Sequence, residues 1–125
     1  MKIIDIHTHG IGGYDTRTTV KEHILKIAEI HGSYGVSEII LTIYPATIKV
    51  IRENMMIVKK AMDIQKAEIE KIRSSEDKKF SDSQPFNLLT SKIIGIHLEG
   101  PFLNPSKCGA LNAMTFIEPT DYNFK

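Results

Sequence analysis

Three isoleucine-rich runs are spaced along the chain, and the segments between them carry a different rhythm. Residues 2–6 form a short apolar run broken only by Asp5. It ends in His7-Thr8-His9-Gly10 and a loop holding Gly12 and Gly13, the pattern of a buried strand leading into a polar turn. From Thr18 onward Val20, Ile24, Ile27, Ala28 and His31 recur at three- and four-residue spacings, with Lys21, Glu22, Lys26 and Glu29 between them. That predicts an amphipathic helix, with Gly32 placed as its C-cap. Residues 36–44 read as a second buried strand closed by Pro45. A longer helix is predicted over 48–73, with Thr47 as N-cap and Ile51, Met55, Val58, Met62, Gln65 and Ile69 along one face. Residues 74–91 lack any apolar period and are rich in Ser, Asp, Gln and Pro, so an exposed loop insertion is expected there. The third strand covers 93–98 and runs out into His97-Leu98-Glu99-Gly100-Pro101.

Strands alternating with helices of this length imply parallel pairing through right-handed crossovers. The fold class is therefore α/β, a sheet or the start of a (β/α) barrel. Composition narrows the function without pointing to one. Of 125 residues, 42% are hydrophobic and 25% charged, the mix of a soluble globular chain. Sixteen basic against fifteen acidic residues leave a net charge of +1, which gives no electrostatic footprint for nucleic acid or an anionic membrane. The longest apolar stretch, 39–44, is far short of a bilayer span, and the N-terminus meets Asp5, His7 and His9 where a signal peptide would keep an apolar core. Cys108 is the lone cysteine and has no zinc-finger spacing around it. A reduced, cytoplasmic protein is the expectation.

The chemistry gathers at the strand ends. On a regular strand Asp5, His7 and His9 project to one side, with His7 and His9 about 7 Å apart at the backbone given roughly 3.3 Å per residue. Two imidazoles so placed can converge on one metal ion, and the carboxyl end of a strand is where α/β folds collect their active sites. Glu99 takes the equivalent place on the third strand. A carboxylate at the end of an apolar strand is costly to desolvate alone and tolerable beside a cation, so His7, His9 and Glu99 support one another as a ligand set. His97 reads as a neighbour of that set or a substrate contact, while His23 and His31 read as ordinary helix residues. Met55, Met56 and Met62 read as packing, and Cys108 as passive.

These residues also carry a family resemblance. The stretch IDIHTHGIGGYDT resembles the first-strand metal motif of the amidohydrolase superfamily. GIHLEGPFLNPSKCGALN resembles the third-strand segment of N-acetylglucosamine-6-phosphate deacetylases, and GVSEIILTIYPATIKV is similar to that family's second strand and the turn after it. The resemblance implies a TIM-like barrel with one or two divalent cations, zinc, iron or manganese, at its C-terminal face. It puts the third-strand metal ligand on Glu99 and, as in members that keep the first-strand histidines, a second metal on His7 and His9. The reaction implied is hydrolysis of the acetamide of an amino-sugar phosphate to amine and acetate.

A barrel of this kind takes about 250 residues, so residues 1–125 are expected to form its N-terminal part, about the first three parallel strands with their helices. The family's proton-handling Asp falls on a later strand, so none of the catalytic residues is expected in this chain. The substrate-binding positions fall on Ala110 and Leu111. Where the family usually places a histidine, Leu111 neither donates nor accepts a hydrogen bond, and Asn112 is the nearest polar alternative. Two further readings stand beside a metal-dependent deacetylase: a non-catalytic remnant or piece of a split enzyme, and another amidohydrolase with a different substrate. The Glu99 segment argues against the second. The unpaired edge of three strands leads to an expected homo-oligomer, or association with the missing part of the barrel.

Overall fold

A computed structural model describes residues 1–74, 90–120 and 122. Its elements follow in the order β1 (Ile4–Thr8), β2 (Gly10–Ile11), β3 (Tyr14–Asp15), α1 (Lys21–Ser33), β4 (Glu38–Ile43), α2 (Ile48–Ser74) and β5 (Lys92–Leu98), with two short 3-10 turns after β5. The alternation read from the hydrophobic pattern is present. Residues 75–89, most of the expected loop insertion, lie outside the described residues.

β1, β4 and β5 form a parallel sheet in that order, so each strand pairs with the next of the three in sequence. The alternating residues Ile39, Leu41 and Ile43 of β4 are fully buried with Ile24 and Ile27 of α1 and Ile51 and Val58 of α2. Burying an isoleucine or leucine side chain contributes roughly 1.5–3 kcal/mol, which is what fastens both helices to the sheet. Away from the helices the sheet is uncovered: Ile4 and Ile94 are exposed, and Ile6 is 68% exposed. Three strands do not close a barrel.

Local chemistry explains the ends of the elements. Thr47 caps α2 as expected, its Oγ1 accepting the Val50 N–H at 3.4 Å. Gly32 does not cap α1; it is a buried residue of the last turn. The C-cap is Tyr34, and the residue after it, Gly35 at φ +84°, is left-handed; the Gly35 N–H donates to the Gly32 carbonyl and the Val36 N–H to the His31 carbonyl. That bond pair is a Schellman motif, which needs the left-handed residue after the helix and not within it. The loop expected after β1 is folded tighter than the polar pattern suggests. Gly12 and Gly13, at φ +63° and +85°, make a two-residue turn that pairs Ile11 with Tyr14 in the β2–β3 hairpin.

A second correction concerns β1. Asp5 pairs with Ile39 but Thr8 pairs with Leu41, so the register slips within the strand. Such a bulge breaks the simple alternation of faces. Asp5 and Thr8 both reach α1, where they meet the buried His31, and Asp5 thereby parts company with His7 and His9.

Candidate metal centre

His7 and His9 leave the end of β1 beside Glu99, which directly follows β5. The backbone of Glu99 is fixed by its N–H donating to the Ile43 carbonyl at 3.1 Å, and that of His9 by its carbonyl accepting the Thr16 N–H at 2.8 Å. The His7 N–H donates to Asp5 Oδ1 at 3.0 Å, so Asp5 holds the backbone of the motif from the helix side.

Three side chains converge. The His7 and His9 Nε2 atoms are 3.4 Å apart, His7 Nε2 lies 3.6 Å from Glu99 Oε1, and His9 Nε2 lies 2.8 Å from Glu99 Oε2. Among the described residues these three form the group able to share an ion, with one ligand atom from each within 4.8 Å of the others. A tetrahedral cation with bonds of about 2.0–2.1 Å would hold its ligands about 3.3–3.4 Å apart, which the His7–His9 spacing matches and the two Glu99 contacts bracket. A buried polar atom supports the same reading, because among the described residues Glu99 Oε2 has no hydrogen-bond partner. Glu99 Oε2 is close to His9 Nε2 yet not aligned to accept a hydrogen bond from it, as expected of two atoms aimed at a common third one. A buried carboxylate oxygen left so is costly unless a cation completes it.

The other positions singled out in the sequence are distributed around this group. His97 is not one of the three donors; its ring centre lies 5.0 Å from that of His7, and its Nδ1 meets Thr42 Oγ1 at 3.4 Å. Leu111 is half-buried and Ala110 exposed in the turn after β5, where the Leu111 N–H donates to the Cys108 carbonyl. The Asn112 side-chain oxygen accepts the Met114 N–H and so caps a 3-10 turn.

Sequence reasoning missed four residues beside the centre. The Tyr44 ring stacks on the His9 ring, centroids 3.7 Å apart and planes 21° from parallel. The Arg17 guanidinium lies 4.3 Å from the centre of the Tyr44 ring. Asp15 grips Arg17 with both carboxylate oxygens, at 3.0 and 2.9 Å, and accepts its backbone N–H at 2.7 Å. Burial raises the Asp15 carboxyl, and the Arg17 hydrogen bonds outweigh it, so the group sits below the usual carboxylate range. Thr16, fully buried, donates its hydroxyl to the Thr42 carbonyl at 2.8 Å and pins the hairpin to β4. The one sequence signal for this arrangement was an Asp-x-Arg pair after a two-glycine turn.

Comparison of the sequence with protein-family models and with curated proteins gave no match. The fold does match solved structures. An N-acetyl-D-glucosamine-6-phosphate deacetylase from Mycobacterium smegmatis, solved in complex with N-acetyl-D-glucosamine-6-phosphate, superposes with a TM-score of 0.66 at 20% identity, over 98% of this chain and 26% of that one. The chain has the fold of a deacetylase barrel segment. A second structure of the Mycobacterium smegmatis deacetylase gives 0.65 at 20% identity, over 98% and 28%. N-acetylglucosamine-6-phosphate deacetylase from Thermotoga maritima gives 0.64 at 25% identity, over 98% and 26%. This deacetylase-like segment spans about a quarter of the length of the structures it matches. The motifs around His7 and Glu99 and the likeness of fold thus lead to the same enzymes.

Proposed function

We propose that the chain is the metal-holding N-terminal segment of a metal-dependent amidohydrolase that removes the acetyl group from an amino-sugar phosphate. The observation that carries this reading is the convergence of His7, His9 and Glu99 at the C-terminal end of a parallel sheet whose fold matches deacetylases. A divalent cation, zinc, iron or manganese, when bound there supplies Lewis-acid polarisation of the acetamide carbonyl and activation of water.

The chain's own residues set the conditions for that chemistry. His7 and His9 offer imidazole nitrogens and Glu99 a carboxylate, a donor set suited to a divalent cation rather than an anion. Three protein ligands would match the number found in catalytic rather than structural zinc sites. Ala110 and Leu111 are proposed to border the sugar. Leu111 offers it only an apolar surface, so any polar contact there comes from the backbone. No residue of this chain is assigned the proton-handling role; that role falls to the rest of a closed barrel, whose strands would also cover Ile4, Ile6 and Ile94. A reducing, cytoplasmic setting goes with this reading, since the lone Cys108 forms no internal disulfide.

The test is acetate release from N-acetylglucosamine 6-phosphate by the zinc-loaded chain, alone and joined to strands that close the barrel. Release only from the closed form is the expected result. A closed, metal-loaded form that releases none sinks the substrate assignment. The uncovered sheet favours a second reading, a binding segment that turns nothing over by itself, and metal uptake by the isolated chain without acetate release is its signature.

A further inference from the structure

A ligand histidine is ordinarily oriented through its second ring nitrogen, which donates to a carboxylate, a carbonyl or water. His9 lacks that device: its Nδ1 is buried and, among the described residues, has no hydrogen-bond partner. What holds its ring instead is a face. Tyr44, the residue after β4, stacks on it at 3.7 Å between centroids. The Arg17 guanidinium lies over the Tyr44 ring at 4.3 Å. Arg17 is in turn held bidentate by Asp15 of β3, and Thr16 between them is tied to the Thr42 carbonyl of β4.

We propose that Asp15, Arg17 and Tyr44 form a clamp that sets the orientation of the His9 imidazole, so that Tyr44 is a positioning residue for the metal centre and the β2–β3 hairpin is its support. The inference rests on the metal-centre reading given above. Its physical basis is separate, because stacking restricts rotation of the ring while leaving Nε2 free to face His7 and Glu99. Aromatic contact with the imidazole face replaces the missing hydrogen bond, and cation–π attraction fixes the tyrosine ring from outside. The hydroxyl of Tyr44 has no part in this, so the ring alone is what the clamp needs. The hairpin therefore has a task beyond connecting β1 to α1: it delivers Asp15 and Arg17 to the tyrosine.

The test compares the parent chain with Tyr44→Phe, Tyr44→Leu and Arg17→Met in two readouts, each variant first shown to keep a cooperative melt. The first needs no metal: ring-proton NMR shifts of His9, assigned with His9→Gln, report the ring current of the stacked partner. The second is zinc affinity by titration. Tyr44→Phe is expected to keep the shifted ring signals and to bind zinc within about threefold of the parent. Tyr44→Leu is expected to lose the shift and bind about 10–100-fold more weakly, the range for residues that orient a ligand. Arg17→Met is expected to fall between them, and it carries the test if Tyr44→Leu does not fold. Zinc binding equal in the parent, Tyr44→Leu and Arg17→Met overturns the clamp alone. A parent chain that shows the ring shift but takes up no zinc overturns the metal-centre reading, and the clamp's assigned purpose with it.

Discussion

His9 Nε2 and Glu99 Oε2 stand 2.8 Å apart, although β4 lies between the strands that deliver them. The sheet brings them together because β1 and β5, parallel to β4 and on its opposite edges, both finish at its C-terminal end, where the Glu99 N–H is bonded to the Ile43 carbonyl. Replacing the carboxylate by an amide keeps the shape and removes the charge. Glu99→Gln should therefore weaken zinc binding at least about 100-fold, beyond the range seen for residues that merely orient a ligand, while leaving the melt close to the parent's. Calorimetric titration reads this directly, and an unchanged affinity removes Glu99 from the ligand set.

Gln65 connects α2 to β5 through both ends of its amide. Its Oε1 accepts the Ile93 N–H and its Nε2 donates to the Ser91 carbonyl, each at 3.0 Å and buried. Gln65→Leu fills the space but strands one buried donor and one buried acceptor, each costing about 1–3 kcal/mol. A loss of about 2–4 kcal/mol in urea unfolding is expected. A loss below about 0.5 kcal/mol would mean that water satisfies those groups.

His31 makes stability depend on pH. Burial lowers it below the ordinary histidine value of 6.5, and the nearby Asp5 carboxylate offsets only part of that. Below about pH 6.5 the unfolded chain takes up a proton that the folded chain resists, so stability falls as pH drops from 7 through 6.5 and levels off only below the lowered folded value. Urea midpoints across pH 5–8 should show a shallower slope for His31→Gln than for the parent. Parallel slopes would contradict the assignment.

Gly10 follows His9 directly at φ +151°, and a Cβ there would collide with the Tyr14 carbonyl oxygen. That is a backbone collision no rotamer relieves. Gly10→Ala should cost on the order of 2 kcal/mol or more and weaken zinc binding by displacing the hairpin. Gly13→Ala, where nothing lies within 4 Å of the added carbon, should cost less, through its left-handed backbone alone. Thermal melts of the two variants provide the comparison, and equal losses would argue against the collision.

How much of this was legible beforehand varied with the range of the interaction. The strands and helices were readable because residues 39–44 form a short, nearly unbroken apolar run while Ile24, Ile27 and Ala28 recur at helical spacing, and both patterns are local. His7, His9 and Glu99 could be grouped because strand ends share one edge of a parallel sheet. The bulge in β1 was not readable, since a one-residue slip in strand pairing leaves no trace in hydrophobicity. The stack of Arg17 on Tyr44 on His9 was invisible for the same reason, being made across three elements by rings whose spacing in sequence carries no period. Gly32 was misplaced as a cap because two glycines, Gly32 and Gly35, flank the end of α1, and only the backbone bonds tell which one is left-handed.

The central claim is that His7, His9 and Glu99 hold one divalent cation, and a crystal of the chain soaked in zinc tests it most directly. An anomalous peak about 2.0–2.2 Å from both His Nε2 atoms and the Glu99 carboxylate is the predicted result. Zinc bound elsewhere, with these three side chains left as they are, would contradict the account.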